Sequence, residues 1–111
     1  MNIEEMTERE KSLLLAKKMY GEDRISPIYK EDGMMTYVFS LGKCFNPYKD
    51  GNDSQSVQEF FGIEAAKQNY DGEKEWFCQT PTSNAISHSS DLKTAISDCA
   101  IKIIQLVSNQ K

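Results

Sequence analysis

The stretch from Phe45 to Ile63 constrains the fold more than any other part of this chain. Pro47 fixes its own φ angle and pushes Asn46 towards an extended conformation, so an element that precedes it has to end there. The next polar side chains can accept hydrogen bonds from the free N–H groups that open a helix: Asn52, Asp53 and Ser54. The sequence therefore predicts a turn followed by a short helix that opens at Asp53.

This short helix is predicted to be amphipathic. Val57, Phe60 and Phe61 fall on one helical face, which we expect to be buried. Gly62 is placed to end the helix, because glycine adopts the left-handed backbone conformation at little cost. None of these residue types is an obvious catalyst, so we interpret the stretch as scaffold.

Two further helices are indicated by their ends and by apolar periodicity. Thr7 and Glu10 fit a capping box, and Gly21 is placed to end the helix that follows. A long helix over residues 91–108 is predicted to be capped by Ser89 or Ser90. Its apolar residues recur at helical spacing: Leu92, Ala95, Ile96, Cys99, Ala100, Ile103, Leu106 and Val107. We expect this apolar stripe to pack on a sheet.

The strongest strand signal is a pair of extended runs, residues 63–70 and 73–80, on either side of Asp71-Gly72. An Asp-Gly pair favours the tight turn of a β-hairpin. A second strand is predicted over residues 34–41, because aromatic and β-branched residues dominate there, and we expect it to pair with residues 25–29. Its alternate apolar residues, which share one side, are Met35, Tyr37, Phe39 and Leu41. Residues 80–90 are predicted to be a loop.

These elements predict one α+β domain over residues 1–111. In it a small antiparallel sheet packs with helices in a layered sandwich, and a long helix forms the C-terminal end.

Composition narrows the function classes. The chain has 17 acidic and 13 basic residues, a formal net charge of −4. A nucleic-acid partner is therefore not expected, because phosphate contacts need a basic patch. No apolar run is long enough to cross a bilayer and the N-terminus lacks the features of a signal peptide, which predicts a cytoplasmic protein without a membrane partner.

The chain carries no strong chemical motif. Its cysteines are Cys44, Cys78 and Cys99, and His88 is its one histidine. Their spacing fits no zinc set, so we expect reduced thiols that are mostly buried. The glycines occur singly, and no phosphate-binding loop is present. The sequence accordingly predicts no catalytic residue, no cofactor and no metal.

Three local signatures carry a resemblance to a known family. The first is Met6–Glu10 with the helix that ends at Gly21, and the second runs from Phe45-Asn46-Pro47 to Ile63. The third is Ser87–Leu92, which opens the final helix. Together they cover most of the chain, which resembles the phage ABA sandwich family of small phage and prophage proteins. The resemblance implies an α+β sandwich and a phage origin, and it brings no catalytic residues.

Aromatic residues are more numerous than one face of a small sheet needs. Tyr48 and Tyr70, each near an Asp-Gly turn, and Trp76 are the predicted contact surface for a partner. The leading hypothesis is a non-enzymatic phage accessory protein that binds a host protein complex and inhibits a host defence system such as CRISPR. The sequence also leaves a homo-oligomer open. The alternative is a ligand-binding or enzymatic domain with a pocket near His88.

Overall fold

The computed structural model describes residues 6–31, 33–70, 72–80 and 85–108. In chain order the elements are α1 (Glu8–Tyr20), a 3₁₀ turn (Glu22–Arg24), β1 (Ile25–Lys30), β2 (Gly33–Val38), β3 (Lys43–Phe45), α2 (Gly51–Phe61), β4 (Glu64–Tyr70), β5 (Glu73–Gln79), β6 (Ile86–Ser89) and α3 (Leu92–Ser108). The α+β class and the long C-terminal helix are confirmed. The strands divide into two sheets, with the orders β1-β2-β3 and β4-β5-β6.

The start and end of α1 follow the predicted chemistry. Thr7 Oγ1 accepts a hydrogen bond from the Glu10 N–H at 3.1 Å, and Glu10 Oε1 accepts one from the Thr7 N–H at 3.2 Å. Gly21, at φ 97°, donates its N–H to the carbonyl of Lys17. The capping box and the glycine stop are both confirmed.

The first sheet packs one side on α1. β1 and β2 form an antiparallel hairpin in the register Ile25↔Val38 to Lys30↔Gly33, and β3 pairs with the other edge of β2. β2 ends at Val38, earlier than predicted, because a turn follows in which the Gly42 N–H donates to the Val38 carbonyl at 3.0 Å. Thr36 and Val38 are buried, so the even-numbered residues of β2 face the helix layer.

The second sheet contains the predicted hairpin. β4 and β5 pair in antiparallel fashion from Glu64↔Gln79 to Tyr70↔Glu73; Asp71 in the turn lies outside the described residues. β6 adds a third strand, with His88 opposite Phe77. The prediction that residues 80–90 form only a loop is therefore wrong. The four residues of β6 are mostly polar and lack the apolar alternation that indicates a strand. They form a strand because they pair with β5.

The helices join the two sheets. α1 packs on β1 and β2, α3 packs on β5 and β6, and the three helices contact one another. The core draws on every layer: Leu15, Ala16, Ile25, Val38, Phe45, Val57, Ile63, Cys78, Ala85, Ala95, Ile96, Cys99, Ala100 and Ile101. None of the helices in the described ranges is sufficiently long and apolar to span a membrane.

The start of α2 differs from the prediction. Asp50 is the N-cap, and its Oδ1 accepts the N–H groups of Asn52 at 2.8 Å and Asp53 at 3.3 Å. The helix therefore begins at Gly51, and the prediction that it opens at Asp53 is wrong. Asp53 is buried instead, where Oδ2 accepts the Asn46 N–H at 2.9 Å and Oδ1 lies 3.1 Å from Lys43 Nζ.

The buried face of α2 is also narrower than predicted, by one residue. Val57 is fully buried and Phe61 packs against the core, but the Phe60 ring is 52% exposed, so its predicted burial is wrong. Asp53, Ser54 and Val57 are the buried residues of this helix. Phe60 lies outside this buried stripe, and its ring contacts Phe61 at a centroid distance of 4.9 Å.

Asp91, rather than Ser89 or Ser90, caps α3. Its Oδ2 accepts the Thr94 N–H at 3.2 Å and the Thr94 hydroxyl at 2.8 Å. Ser89 supports the cap from one step back, because its Oγ accepts the Asp91 N–H at 3.1 Å. The prediction that a serine caps this helix is therefore wrong, although Ser89 binds the backbone of the residue that does.

Candidate functional site

Tyr48 is not a surface residue. Its side chain is only 2% exposed, and its hydroxyl donates a hydrogen bond to Asp98 Oδ1 at 2.6 Å. Lys11 Nζ also reaches this oxygen, at 3.1 Å, and lies 5.5 Å from the centre of the Tyr48 ring. The predicted exposure of Tyr48 is therefore wrong, because α1 and α3 supply a charged pair that satisfies its hydroxyl in the interior.

The Tyr48–Asp98–Lys11 cluster is structural in character. Burial, followed by the hydrogen bond to Asp98, raises the pKa of the Tyr48 hydroxyl far above its ordinary value. Both effects favour the protonated phenol, which is the form that donates to Asp98. The cluster ties the turn after β3 to two helices.

The other two predicted contact residues belong to the second sheet. Trp76 shares the inner side of β5 with the buried Cys78 and is partly buried against the core. Lys67, directly opposite on β4, holds its Nζ 5.4 Å from the centre of the indole. Tyr70 ends β4, and its side chain lies outside the described residues. Tyr48 and Trp76 therefore do not form one exposed surface, and a binding role for Trp76 stays a prediction.

His88 lies on the outer side of the second sheet. Its ring is stacked on Phe77, with a centroid distance of 5.5 Å and an interplanar angle of 25°, and its Nδ1 is 3.0 Å from Glu75 Oε2. A carboxylate beside His88 is a feature that the alternative hypothesis, an enzymatic pocket near this residue, would use. The histidine side chain is 61% exposed, however, on the open surface of a strand.

A small cleft lies away from His88, between α1 and the first sheet. Its lining is Arg9, Ser12, Met34, Met35, Thr36, Phe45 and Asn46. The space for the centre of a water molecule is about 20 Å³, which corresponds to about one water. The cleft is therefore too small for an organic ligand. Within the described ranges, moreover, no group of three or more His, Cys, Asp or Glu residues is placed to hold a metal ion.

The outer side of the first sheet is the most distinctive surface. The register places Tyr37 opposite both Ser26 and Cys44, and Ile28 on the same alternation of β1 as Ser26, on the side away from α1. Met35, which is opposite Ile28, also lines the cleft beside α1. Phe39 continues this side: its ring meets that of Tyr37 edge to face at 5.7 Å and is 58% exposed. We call these residues the apolar outer face: Ile28, Tyr37, Phe39 and Cys44.

The alternation of Met35, Tyr37 and Phe39 was visible in the sequence. Which side of β2 faces α1 was not. The two alternating sets of β2 are both compatible with burial, because Thr36 and Val38 also form a β-branched stripe. Phe45 on β3 pairs with Thr36 and is buried, which selects the even-numbered side for the core. The more apolar side of β2 is therefore left outside. On this side Phe39 is exposed, and Ile28, Tyr37 and Cys44 are half-buried. An apolar patch that includes an exposed aromatic ring is typical of an interaction site.

The sheet edges are less suited to a partner. β1 carries Pro27, which has no N–H to donate, and β4 carries the inward-pointing Lys67. On β6, Lys102 Nζ donates a hydrogen bond to the Ile86 carbonyl at 2.7 Å. These features oppose strand addition, and they leave the apolar outer face as the candidate protein-binding surface.

Comparison with protein-family models, with curated proteins and with solved structures finds no match to this chain. The resemblance to the phage ABA sandwich family therefore stays a prediction.

Proposed function

We propose that this protein acts without catalysis, by binding another protein through the apolar outer face of its first sheet. The observation that carries this proposal is the pair Tyr37–Phe39. Two aromatic rings contact each other on a sheet side that the helix layer does not cover, and Phe39 is more than half exposed. Aromatic side chains in this setting are favoured anchors of protein interfaces, because they bury a large area with little loss of conformational entropy.

The identity of the partner follows from the resemblance to the phage ABA sandwich family. We propose that the partner is a host protein complex in the cytoplasm of the infected cell, and that binding inhibits a defence system such as a CRISPR effector. The family resemblance supports this choice of partner, and the apolar outer face supports protein binding.

The test is a comparison of three tagged proteins in a host lysate: the wild type, Phe39→Ser and Phe60→Ser. Phe60 is the matched control, because its ring is 52% exposed but lies on α2. We expect one host complex to be retained by the wild type and by Phe60→Ser and to be lost with Phe39→Ser. A CRISPR interference assay in cells with the same three proteins then tests inhibition.

Two results would contradict the proposal. Equal retention by Phe39→Ser would show that the partner does not use the apolar outer face. A lysate in which the wild type retains nothing beyond the background of an unrelated tagged protein would argue against a host partner.

A further inference from the structure

Each end of the apolar outer face carries a cation. The Arg24 carbonyl accepts the Phe39 N–H at 3.1 Å, so Arg24 lies beside Phe39 where β1 begins. Lys30 ends β1, on the same alternation as Ile28. Lys30 follows Arg24 by six positions, which corresponds to about 20 Å along an extended strand.

Both cations are available to a partner. Arg24 and Lys30 are exposed, and neither forms an ion pair within the ranges that the structure describes. The acidic neighbour Glu22 is directed to α1 instead, where its carboxylate lies 3.5 Å from Lys17 Nζ. The Asp23 carboxylate lies beside Gly21, and Glu31 belongs to the turn that follows β1. The apolar outer face is therefore flanked by positive charge, although the protein as a whole has a net charge of −4.

We propose that the occupant of this face is an apolar segment of the partner protein with a carboxylate near each end, about 20 Å apart. The apolar side chains cover Tyr37 and Phe39, while Asp or Glu side chains pair with Arg24 and Lys30. The inference rests on the proposed function and adds the chemistry of the partner to it. Complementary charge at the rim sets orientation and association rate more than affinity.

Charge also argues against two other occupants. In a twofold dimer the same patch lies on both sides of the interface, so a second copy would bring the cations of one face towards those of the other. A single-stranded nucleic acid could stack on the aromatic rings, but its affinity depends on a groove of cations that follows the phosphates. Two cations at the ends of an apolar strip fit an acidic peptide better.

The experiment is a selection from displayed random peptides of about sixteen residues, since a helix of that length covers about 24 Å. The targets are the wild type, the charge-reversed protein Arg24→Glu/Lys30→Glu and the control Lys18→Glu/Lys49→Glu. The control makes the same change in charge at exposed lysines elsewhere, and the thermal midpoint of each target verifies that it is folded.

We expect the wild type and the control to enrich peptides that combine aromatic or aliphatic residues with Asp or Glu. The charge-reversed protein should enrich peptides with Lys or Arg instead. The best acidic peptide should bind the charge-reversed protein about tenfold more weakly than the wild type, with a difference that shrinks at high salt. It should also protect Cys44, which lies in the face, from alkylation.

Neutral or basic peptides enriched by the wild type would overturn the inference, as would the same peptides enriched by all three targets or no enrichment at all. Tight binding of a single-stranded oligonucleotide that Arg24→Glu/Lys30→Glu abolishes would also overturn it. The host complex separates the two proposals. If that complex is lost with Phe39→Ser but retained by Arg24→Glu/Lys30→Glu, the partner chemistry is wrong while the proposed function stands.

Discussion

The hydroxyl of Tyr48 donates a 2.6 Å hydrogen bond to the carboxylate of Asp98, fifty residues later in the chain. This contact joins the turn that follows β3 to the middle of α3. Because Lys11 on α1 pairs with the same carboxylate, three separate segments meet at one oxygen. The contact indicates that Tyr48 stabilises the fold and does not belong to a binding surface.

Replacement of Tyr48 by phenylalanine tests this assignment. Tyr48→Phe removes a hydrogen bond to a charged group and should lower the free energy of unfolding by about 1.5–3 kcal/mol. Tyr37→Phe is the matched control, since the Tyr37 hydroxyl makes no hydrogen bond within the described part of the chain, and it should change stability by less than about 0.5 kcal/mol. Urea denaturation measures both, and equal effects of the two substitutions would remove the structural role from the Tyr48–Asp98 contact.

The two aspartates at the start of α2 have different roles, and their alanine variants should differ accordingly. Asp50→Ala removes the N-cap and should destabilise the protein by about 1 kcal/mol. Asp53→Ala leaves the Asn46 N–H without its acceptor and Lys43 without its buried partner, so we expect a larger loss of about 2–3 kcal/mol. Chemical denaturation gives both values. A larger effect at Asp50 than at Asp53 would contradict these roles.

Val57 and Phe60 provide a contrast between a buried and an exposed side chain on one helix. Val57→Ala removes two methyl groups from a fully buried site and should lower stability by about 2 kcal/mol, the lost transfer energy plus a cavity term. Phe60→Ala should lower it by less than about 1 kcal/mol, because its ring is already half in water. Thermal unfolding of the two variants shows which of them loses more stability. A loss as large as 3 kcal/mol in Phe60→Ala would contradict the exposed position of this ring.

The three cysteines should react at very different rates in the folded protein. All three are free; Cys44 is half-buried, whereas Cys78 and Cys99 are fully buried. Alkylation of the native protein should therefore modify Cys44 first, and the denatured protein should titrate as three thiols. Mass spectrometry after timed alkylation identifies the modified residues. Fast modification of Cys99 would mean that the buried side of α3, on which it lies, is open to the reagent.

Alkaline pH should weaken the fold through the same buried thiols. Burial raises the pKa of Cys78 and of Cys99 to about 11, from an ordinary value of 9.0. The unfolded chain loses these protons first, so this contribution to stability is complete below pH 9.0 and is lost as the pH rises towards 11. Urea denaturation across this interval should show a falling midpoint. The fall should be smaller in Cys78→Ser/Cys99→Ser, relative to its own midpoint below pH 9.0, and an identical fall would assign the effect to other groups.

Local chemistry made several parts of the fold predictable. The capping box at Thr7 and Glu10, the glycine that ends α2 and the β4–β5 hairpin each depend on residues that are neighbours in sequence. Most of the apolar stripe of α3 was also predicted, because helical periodicity identifies a buried side without knowledge of what covers it. Leu106, which the predicted stripe included, is exposed instead. The buried Ile101 was missed in that stripe, since it lies one position beyond the predicted spacing.

The candidate site was less predictable, because it depends on which of two possible sides each residue takes. The sequence by itself determined the helices and the hairpins through turn residues, caps and periodicity. It also indicated the three free cysteines through their spacing. Only the tertiary structure decided that Tyr48 is buried, since the carboxylate that satisfies its hydroxyl comes from a distant helix. It also decided that Tyr37 and Phe39 lie outside: the pairing of Phe45 with Thr36 and the contact with α1 assign the other side of β2 to the core, and alternation alone cannot choose between two apolar sides.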